Sequence, residues 1–279
     1  SEYKILKNAT RALCETDTYF LPKLDIMPAS QTINVAFATD PDNQEDAVIV
    51  SKDVIDSGLM TTVKYITVTY IQKEVDEEFR KPEPRDWEPE DAYSAIGNDG
   101  LPILDKMIKL KDCIIGKFDR KTGENTSIYS QIKEEGYVDR VIVSMTKDTQ
   151  SLMIKVKLRK TRKYTAGDKQ AFRYSQKGTI GAVLKHSELP VVVSGPNKGI
   201  TPDLIFNPHG FPSRQTFGLL AECLLSKAAC YDGIRKDVTA FRNPTKIGEI
   251  EPPNIVQARM TLKNNGFRED GIERFRLPH

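Results

Sequence analysis

The sequence predicts an α+β fold in which β-structure dominates and an insert interrupts one β-rich domain. Three observations predict it. Short runs of β-branched and aromatic residues recur towards both ends of the chain. Helical periodicity is confined to two stretches near the carboxy terminus. Between the β-rich parts the composition turns acidic, proline-broken and turn-rich. These changes place the divisions at residues 1–64, 65–163 and 164–279, with the first and last parts forming one domain.

The elements follow in order. The runs "TINVAFAT" and "DAVIVSKD" read as strands around the turn-rich connector "DPDNQE". "TTVKYITVTYIQ" is a strand by its β-branched and aromatic content. The middle part opens with the acidic stretch from Lys73 to Asp91 and continues through "IGNDGLP" and "GKFDRKTGENTS". "DRVIVSMTKD" and "SLMIKVKLRK" predict a hairpin turning over "TKDTQS". Strict alternation there puts Ile154, Val156 and Leu158 on one face and Lys155, Lys157 and Arg159 on the other. "TIGAVL" and "DLIFNP" are further strands. A helix is expected over "SRQTFGLLAECLLSKAACYDG", with Ser213 as N-cap, Phe217, Leu220, Leu224 and Leu225 at helical spacing, and Gly233 past its end. A shorter helix is expected from Pro252 to an Asn-Asn-Gly stop before Phe267. No fixed-period repeat occurs, which argues against a solenoid.

Composition narrows the function classes. Of 279 residues 29% are charged and 39% hydrophobic, which fits a soluble chain with a modest core. The net charge of +2 hides a basic block. From Lys155 to Lys185 ten lysines and arginines face Asp168 alone. A near-neutral chain with one basic block suits a polyanion met at one place. Cys14, Cys113, Cys223 and Cys230 lack CxxC spacing and only three histidines occur, so a structural zinc site is not expected. Reduced cysteines of an intracellular protein fit better. There is no run of eighteen apolar residues and no signal peptide, so no membrane span is expected. The chain starts at Ser1 and ends in "ERFRLPH", both compatible with a piece of a longer protein.

Three stretches carry chemistry-bearing residues. In "GDKQAFRYSQKGT" Lys169 and Lys177 stand eight positions apart between Gly167 and Gly178. Lysine ammoniums suit phosphate oxygens, and glycines let a backbone come close to a ligand. The stretch lacks the Walker A pattern, and the plainer reading is a solvated basic loop. In "DNQEDAVIV" Asp42, Glu45 and Asp46 stand where the connector enters a strand. There they are either Mg²⁺-directed carboxylates or a solvated acidic turn. In "PDLIFNPHGFPSRQTFG" three prolines stiffen the path and Arg214 is expected to open a helix. It is then either a forked anion donor at a helix N-terminus or a surface arginine beside a cap. His209 alone reads as structural.

Taken in order, "NQED", "GDK" with "QKGTIG", and "PDLIFNPHGFPSR" with "LLAECLLSKAA" resemble one family. It is the second-largest, β-type subunit of multisubunit DNA-directed RNA polymerases, in its eukaryotic-like branch. "IDSGL", "CIIGK" and "VKLRKTRKYTAGDK" extend the resemblance over essentially the whole chain. It implies a hybrid-binding domain at 1–64 and 164–279 built on a double-psi β-barrel, and a wall or flap-type insert at 65–163. It also implies that Lys169 and Lys177 face the RNA 3′ end and the nucleotide phosphates as catalytic and nucleotide-binding residues. Arg214 would contact the incoming triphosphate. Glu45 and Asp46 would stand near the nucleotide-borne Mg²⁺, and Gln44, Lys157, Arg159, Arg173 and Gln176 would contact nucleic acid.

The implied cofactor is Mg²⁺, with its main ligands in the partner largest subunit, since the tight Asp-x-Asp-x-Asp cluster is missing here. Implied partners are that subunit, the other polymerase subunits, the DNA template, the RNA transcript and nucleoside triphosphates, with no membrane. The implied location is the nucleus, or the cytoplasm or virion of a large DNA virus. The chain departs from the family's Arg-His-Gly-Gln-Lys-Gly at Tyr174 and Ser175, and from its usual residues after "GDK". A competing reading is a non-catalytic module for single strands or hybrids, which would not need Glu45 and Asp46 near the lysines. A third is an isolated, inert fragment.

Overall fold

The β-type runs pair into two separate five-stranded sheets, each in its own compact unit. The computed structural model describes residues 1–73, 76–84, 91–148, 150–245 and 247–277. One unit comprises Ser1–Ile5 with Thr62–Arg162, the other Leu6–Thr61 with Lys163–His279. The chain is β-rich with few helices, an α+β fold.

The sheet of the first unit runs in the order Glu2–Leu6, Thr62–Ile71, Leu152–Arg162, Gly136–Met145, Met107–Ile108. Alternation set its faces. Ile154, Val156 and Leu158 are at most 1% exposed and lie opposite Tyr70, Val68 and Ile66. Ile108, Ile114, Ile115 and Val138 complete that core. Each such side chain contributes about 1.5–3 kcal/mol by leaving water. The other face keeps the cations near water, and Lys157 Nζ stands 4.2 Å from the Tyr65 ring centre. An ion pair between Lys117 and Glu77 at 2.8 Å is almost fully buried. Residues 85–90 of the acidic stretch lie outside the described residues.

The sheet of the second unit runs Lys169–Ala171, Lys177–Leu184, Ala47–Ser51, Leu204–Phe206, Val35–Phe37. The Lys177–Leu184 strand is parallel to Ala47–Ser51, and so is Leu204–Phe206 to Val35–Phe37, while the central contact is antiparallel. An unbroken apolar run is what a strand covered on both faces needs. Val48 and Val50 pack with Ile180, Leu204, Phe206, Phe211 and Leu219. Ile49 packs on the opposite side with Leu189 and Ile205. None of Val48, Ile49 and Val50 has measurable exposure.

The expected helix from Ser213 is two helices. A short one spans Gly210–Arg214 and a long one Phe217–Asp232. Gln215, in the left-handed region at φ 55°, breaks them apart, so Arg214 ends a helix and does not open one. Ser213 lies inside the short helix, its hydroxyl donating to the His209 carbonyl at 3.2 Å, and Thr216 takes the cap position of the long one. The buried face of the long helix is Leu219, Leu225, Ala228 and Ala229, whereas Phe217 and Leu220 are exposed. Gly233 ends it at φ 72°, the conformation that favours glycine at a helix end. The last helix, Pro253–Asn264, packs Ala258 and Leu262 against Leu225, Ala228, Cys14 and Phe267. Cys14 and Cys113 are buried, Cys223 is half-buried and Cys230 is exposed. Among the described residues no helix is long and apolar enough to cross a membrane.

Candidate functional site

Three loops of the second unit converge at one end of its sheet: 40–46, 173–178 and 207–216. The first is shaped by its own side chains. Asp40 Oδ1 accepts from the Asp42 amide at 3.0 Å, and Asn43 Oδ1 accepts from the Asp40 amide at 2.9 Å. Pro41 opens this single helical turn, where its missing N–H costs nothing. Asn43 is fully buried and donates to the Ala38 carbonyl at 2.8 Å. Glu45, at φ 55°, then swings the chain into the Ala47–Ser51 strand.

The parallel pairing fixes what lies beside this loop. Thr179 N–H donates to the Asp46 carbonyl at 3.0 Å. Gly178 and Gly181 make the close approach possible. A Cβ at Gly178 would stand 3.0 Å from the Asp46 carbonyl oxygen, and one at Gly181 only 2.4 Å from that of Asp42.

Lys169 and Lys177 belong to adjacent antiparallel strands, with Lys169 opposite Thr179 and Ala171 opposite Lys177. Residues two apart share a face, as do cross-strand partners, so both lysines project from the same face as diagonal neighbours. Ladder geometry spaces such neighbours roughly 7–8 Å apart. Both side chains are exposed, and neither has an ion-pair partner among the described residues.

Arg214 is held at both ends of its fork. One Nη donates to the Asp46 carboxylate, and the other donates to Gln176 Oε1 at 3.1 Å. Gln176 is 1% exposed, and its amide nitrogen donates to the Gly210 carbonyl and to the Thr216 hydroxyl. Below them, Asn207 donates to the Asn43 carbonyl at 3.2 Å and receives the His209 amide at 2.9 Å. The His209 ring sits against the same Asn207 oxygen, at 3.0 Å. An open depression of about 420 Å³ lies between Thr39, Asp40, Pro41, Gln44, Asn207 and His209.

The structure thus brings Lys169, Lys177, Arg214, Glu45, Asp46, Gln44 and Gln176 into one unit around one sheet end. It places the other nucleic-acid candidates differently. Arg173 donates to the Cys14 carbonyl at 2.8 Å and pairs with Glu222, so both ends of its fork have partners within the chain. In the first unit Arg159 pairs with Asp105 at 2.6 Å and with Asp139 at 3.3 Å, and Lys157 pairs with Asp139 at 3.7 Å. Sequence reasoning passed over Asn43, Asn207 and Thr216 as site-building residues. Its only signals were Asn207 before a proline and the Asp40-Pro41 pair.

Burial pushes the Tyr164 and Tyr174 phenols up, which favours their protonated forms. Among the described residues no group of three or more His, Cys, Asp and Glu side chains could hold a metal ion. Glu45 and Asp46 are exposed, and Asp46 is already engaged by Arg214. Such a donor pair fits water-mediated contact to an ion carried by a ligand, not a resident ion's full shell.

Comparison with known proteins gives one answer. The family model described as RNA polymerase Rpb2, domain 6, matches residues 1–277. The chain is 31% identical over 96% of its length to the DNA-directed RNA polymerase II subunit RPB2 of Schizosaccharomyces pombe, covering 23% of that protein. It is 35% identical over 88% of its length to the RPB2 of Encephalitozoon cuniculi, covering 22%. It is 30% identical over 83% of its length to a probable RPB2 homologue of Invertebrate iridescent virus 3, covering 20%. The chain therefore spans less than a quarter of the curated relatives it matches.

Proposed function

The chain belongs to the Rpb2 family of second-largest RNA polymerase subunits, and from that premise we propose that it forms part of the active centre of a DNA-directed RNA polymerase. It acts there as part of a nucleotidyltransferase complex, beside the largest subunit, holding the RNA–DNA hybrid and contacting the incoming nucleoside triphosphate. In this reading the sheet that carries the lysines belongs to the double-psi barrel region, and residues 65–163 form the wall-type insert.

One observation carries this reading: Lys169 and Lys177 project from one face, and the Thr179–Asp46 hydrogen bond seats the acidic pair beside Gly178. A pure strand-binding module would have no use for those carboxylates there. Phosphoryl transfer asks a protein for positioning and for charge aimed at developing negative oxygens. Lys169 and Lys177 supply two exposed ammoniums with no ion-pair partner among the described residues, suited to the RNA 3′ end and the triphosphate. Arg214 supplies a planar fork for a phosphate. Mg²⁺, when brought by the nucleotide, supplies the charge that neutralises the phosphate oxygens, and Glu45 and Asp46 would orient its waters. The complex resides in the nucleus, or in the cytoplasm or virion for a viral enzyme.

Single-nucleotide addition by the assembled polymerase tests it. Lys177→Ala should lower the rate of addition with promoter binding intact, by about 2–4 kcal/mol at the transition state. Elongation at the parental rate would remove the assignment.

A further inference from the structure

The family resemblance makes Gln176 a nucleic-acid contact, yet its side chain is buried. At 1% exposure it meets no nucleic acid directly. Its oxygen accepts from Arg214 Nη1 at 3.1 Å, and its nitrogen donates to the Gly210 carbonyl at 3.1 Å and to the Thr216 hydroxyl. Gly210 begins the short helix that Arg214 ends, and Thr216 follows the left-handed Gln215 that closes it. The side chain therefore ties together both ends of the turn that carries Arg214, and the arginine itself.

We propose that Gln176 is the positioning residue of Arg214: it aims the guanidinium at an anion and adds no negative charge to the one that Asp46 supplies. This rests on the reading of Arg214 as a triphosphate contact. The amide is suited to the task because it is neutral. A second carboxylate at this place would bind the fork in competition with an anion, whereas an apolar side chain would take a partner from an Nη and a hydroxyl and one of two side-chain donors from the Gly210 carbonyl. Asp46 already holds the outer Nη as an exposed ion pair. That pair is open to exchange for phosphate, while the inner bond ends on the buried Gln176 side chain. A lysine or arginine at 176 could not replace the amide, since neither accepts a hydrogen bond.

The experiment is a double-mutant cycle in the assembled polymerase, reading KM for the nucleotide and kcat separately. Arg214→Ala should raise KM about tenfold or more, the size expected for a lost hydrogen bond to a charged group. Gln176→Leu should raise KM several-fold, and the double variant should be no worse than Arg214→Ala. If Arg214→Ala leaves KM unchanged, the assignment of Arg214 fails. If Arg214→Ala acts but Gln176→Leu multiplies its effect, Gln176 acts elsewhere and the positioning role is overturned. Gln176→Glu keeps the shape and guards against a folding defect. Its KM ratio to the parent should shrink as pH falls, because the introduced carboxyl regains a neutral acceptor and donor when protonated. A ratio independent of pH would count against the inference.

Discussion

Replacing Gly181 by alanine tests how the loop carrying Glu45 and Asp46 is seated. Gly181 lies at the register shift of the parallel pair, between Ile180 and Ala182. Its new Cβ would stand 2.4 Å from the Asp42 carbonyl oxygen and 3.3 Å from the Ala47 Cβ. The first distance is about 1 Å short of comfortable contact, and the atom in the way is backbone. Either the loop lifts or the strand bends, at about 1–3 kcal/mol for an overpacked site. The stiffer unfolded chain offsets about 0.4–1 kcal/mol of this. The net loss is about 1–2 kcal/mol, read as a lower midpoint in equilibrium urea unfolding followed by circular dichroism. Gly178→Ala is the internal comparison. Its Cβ would meet the Asp46 oxygen at 3.0 Å and Val48 Cγ1 at 3.1 Å, which a few tenths of an ångström relieve. Gly181→Ala should therefore be clearly the worse of the two. It should also raise the nucleotide KM of the assembled enzyme, since the lifted loop carries Glu45 and Asp46 away from their place beside Gly178. Equal stability of Gly181→Ala and the parent would refute the reasoning, for the loop could not then lie on that strand.

Ser175 occupies the left-handed region at φ 59°, where the family motif has glycine. Ser175→Gly should stabilise the chain by about 0.5–1 kcal/mol, relief of left-handed strain outweighing the added freedom of the unfolded chain, as thermal unfolding would show. Glu45→Ala should weaken nucleotide use in a way that raised Mg²⁺ partly restores, whereas Lys169→Ala should not respond. Parallel Mg²⁺ titrations of the two variants would make Glu45 a structural turn residue. The carboxyl of Asp237 is held down to about 2 by the Thr239 hydroxyl, the Thr239 amide and Arg242. A depressed carboxylate stabilises the fold above its unfolded value near 4, and that contribution is lost as pH falls through about 2. Because the group is half exposed, Asp237→Asn should cost under about 1 kcal/mol at pH 6, and that cost should shrink as pH falls towards 2. A difference that does not shrink over this range would point to packing.

The strand pattern was legible because its cause is local. Alternation over Ile154 to Leu158 named the buried face correctly, since a pleated strand turns successive side chains to opposite sides whatever it packs against. The unbroken "AVIV" run likewise marked a strand, and Gly233 marked a helix end. The chain order of the lysine, acidic and arginine motifs was enough to identify the family.

Other features were decided by tertiary structure. Ser213 looked like a helix cap, yet the left-handed turn at Gln215 splits the helix, and the buried amide of Gln176 ties the two ends of that turn together. Arg173 and Gln176 looked alike as polar neighbours of Lys177, yet one bridges Cys14 and Glu222 while the other lies buried under Arg214. No periodicity distinguishes them, because the distinction depends on partners far along the chain. Lys169 and Lys177 share a face only because a tight hairpin sets Ala171 opposite Lys177. A register slip of one residue would turn one of them away. Sequence determines which way a side chain points from its own strand. Which atoms meet it there is set by long-range pairing, whose hydrogen bonds form only once distant loops have been brought together.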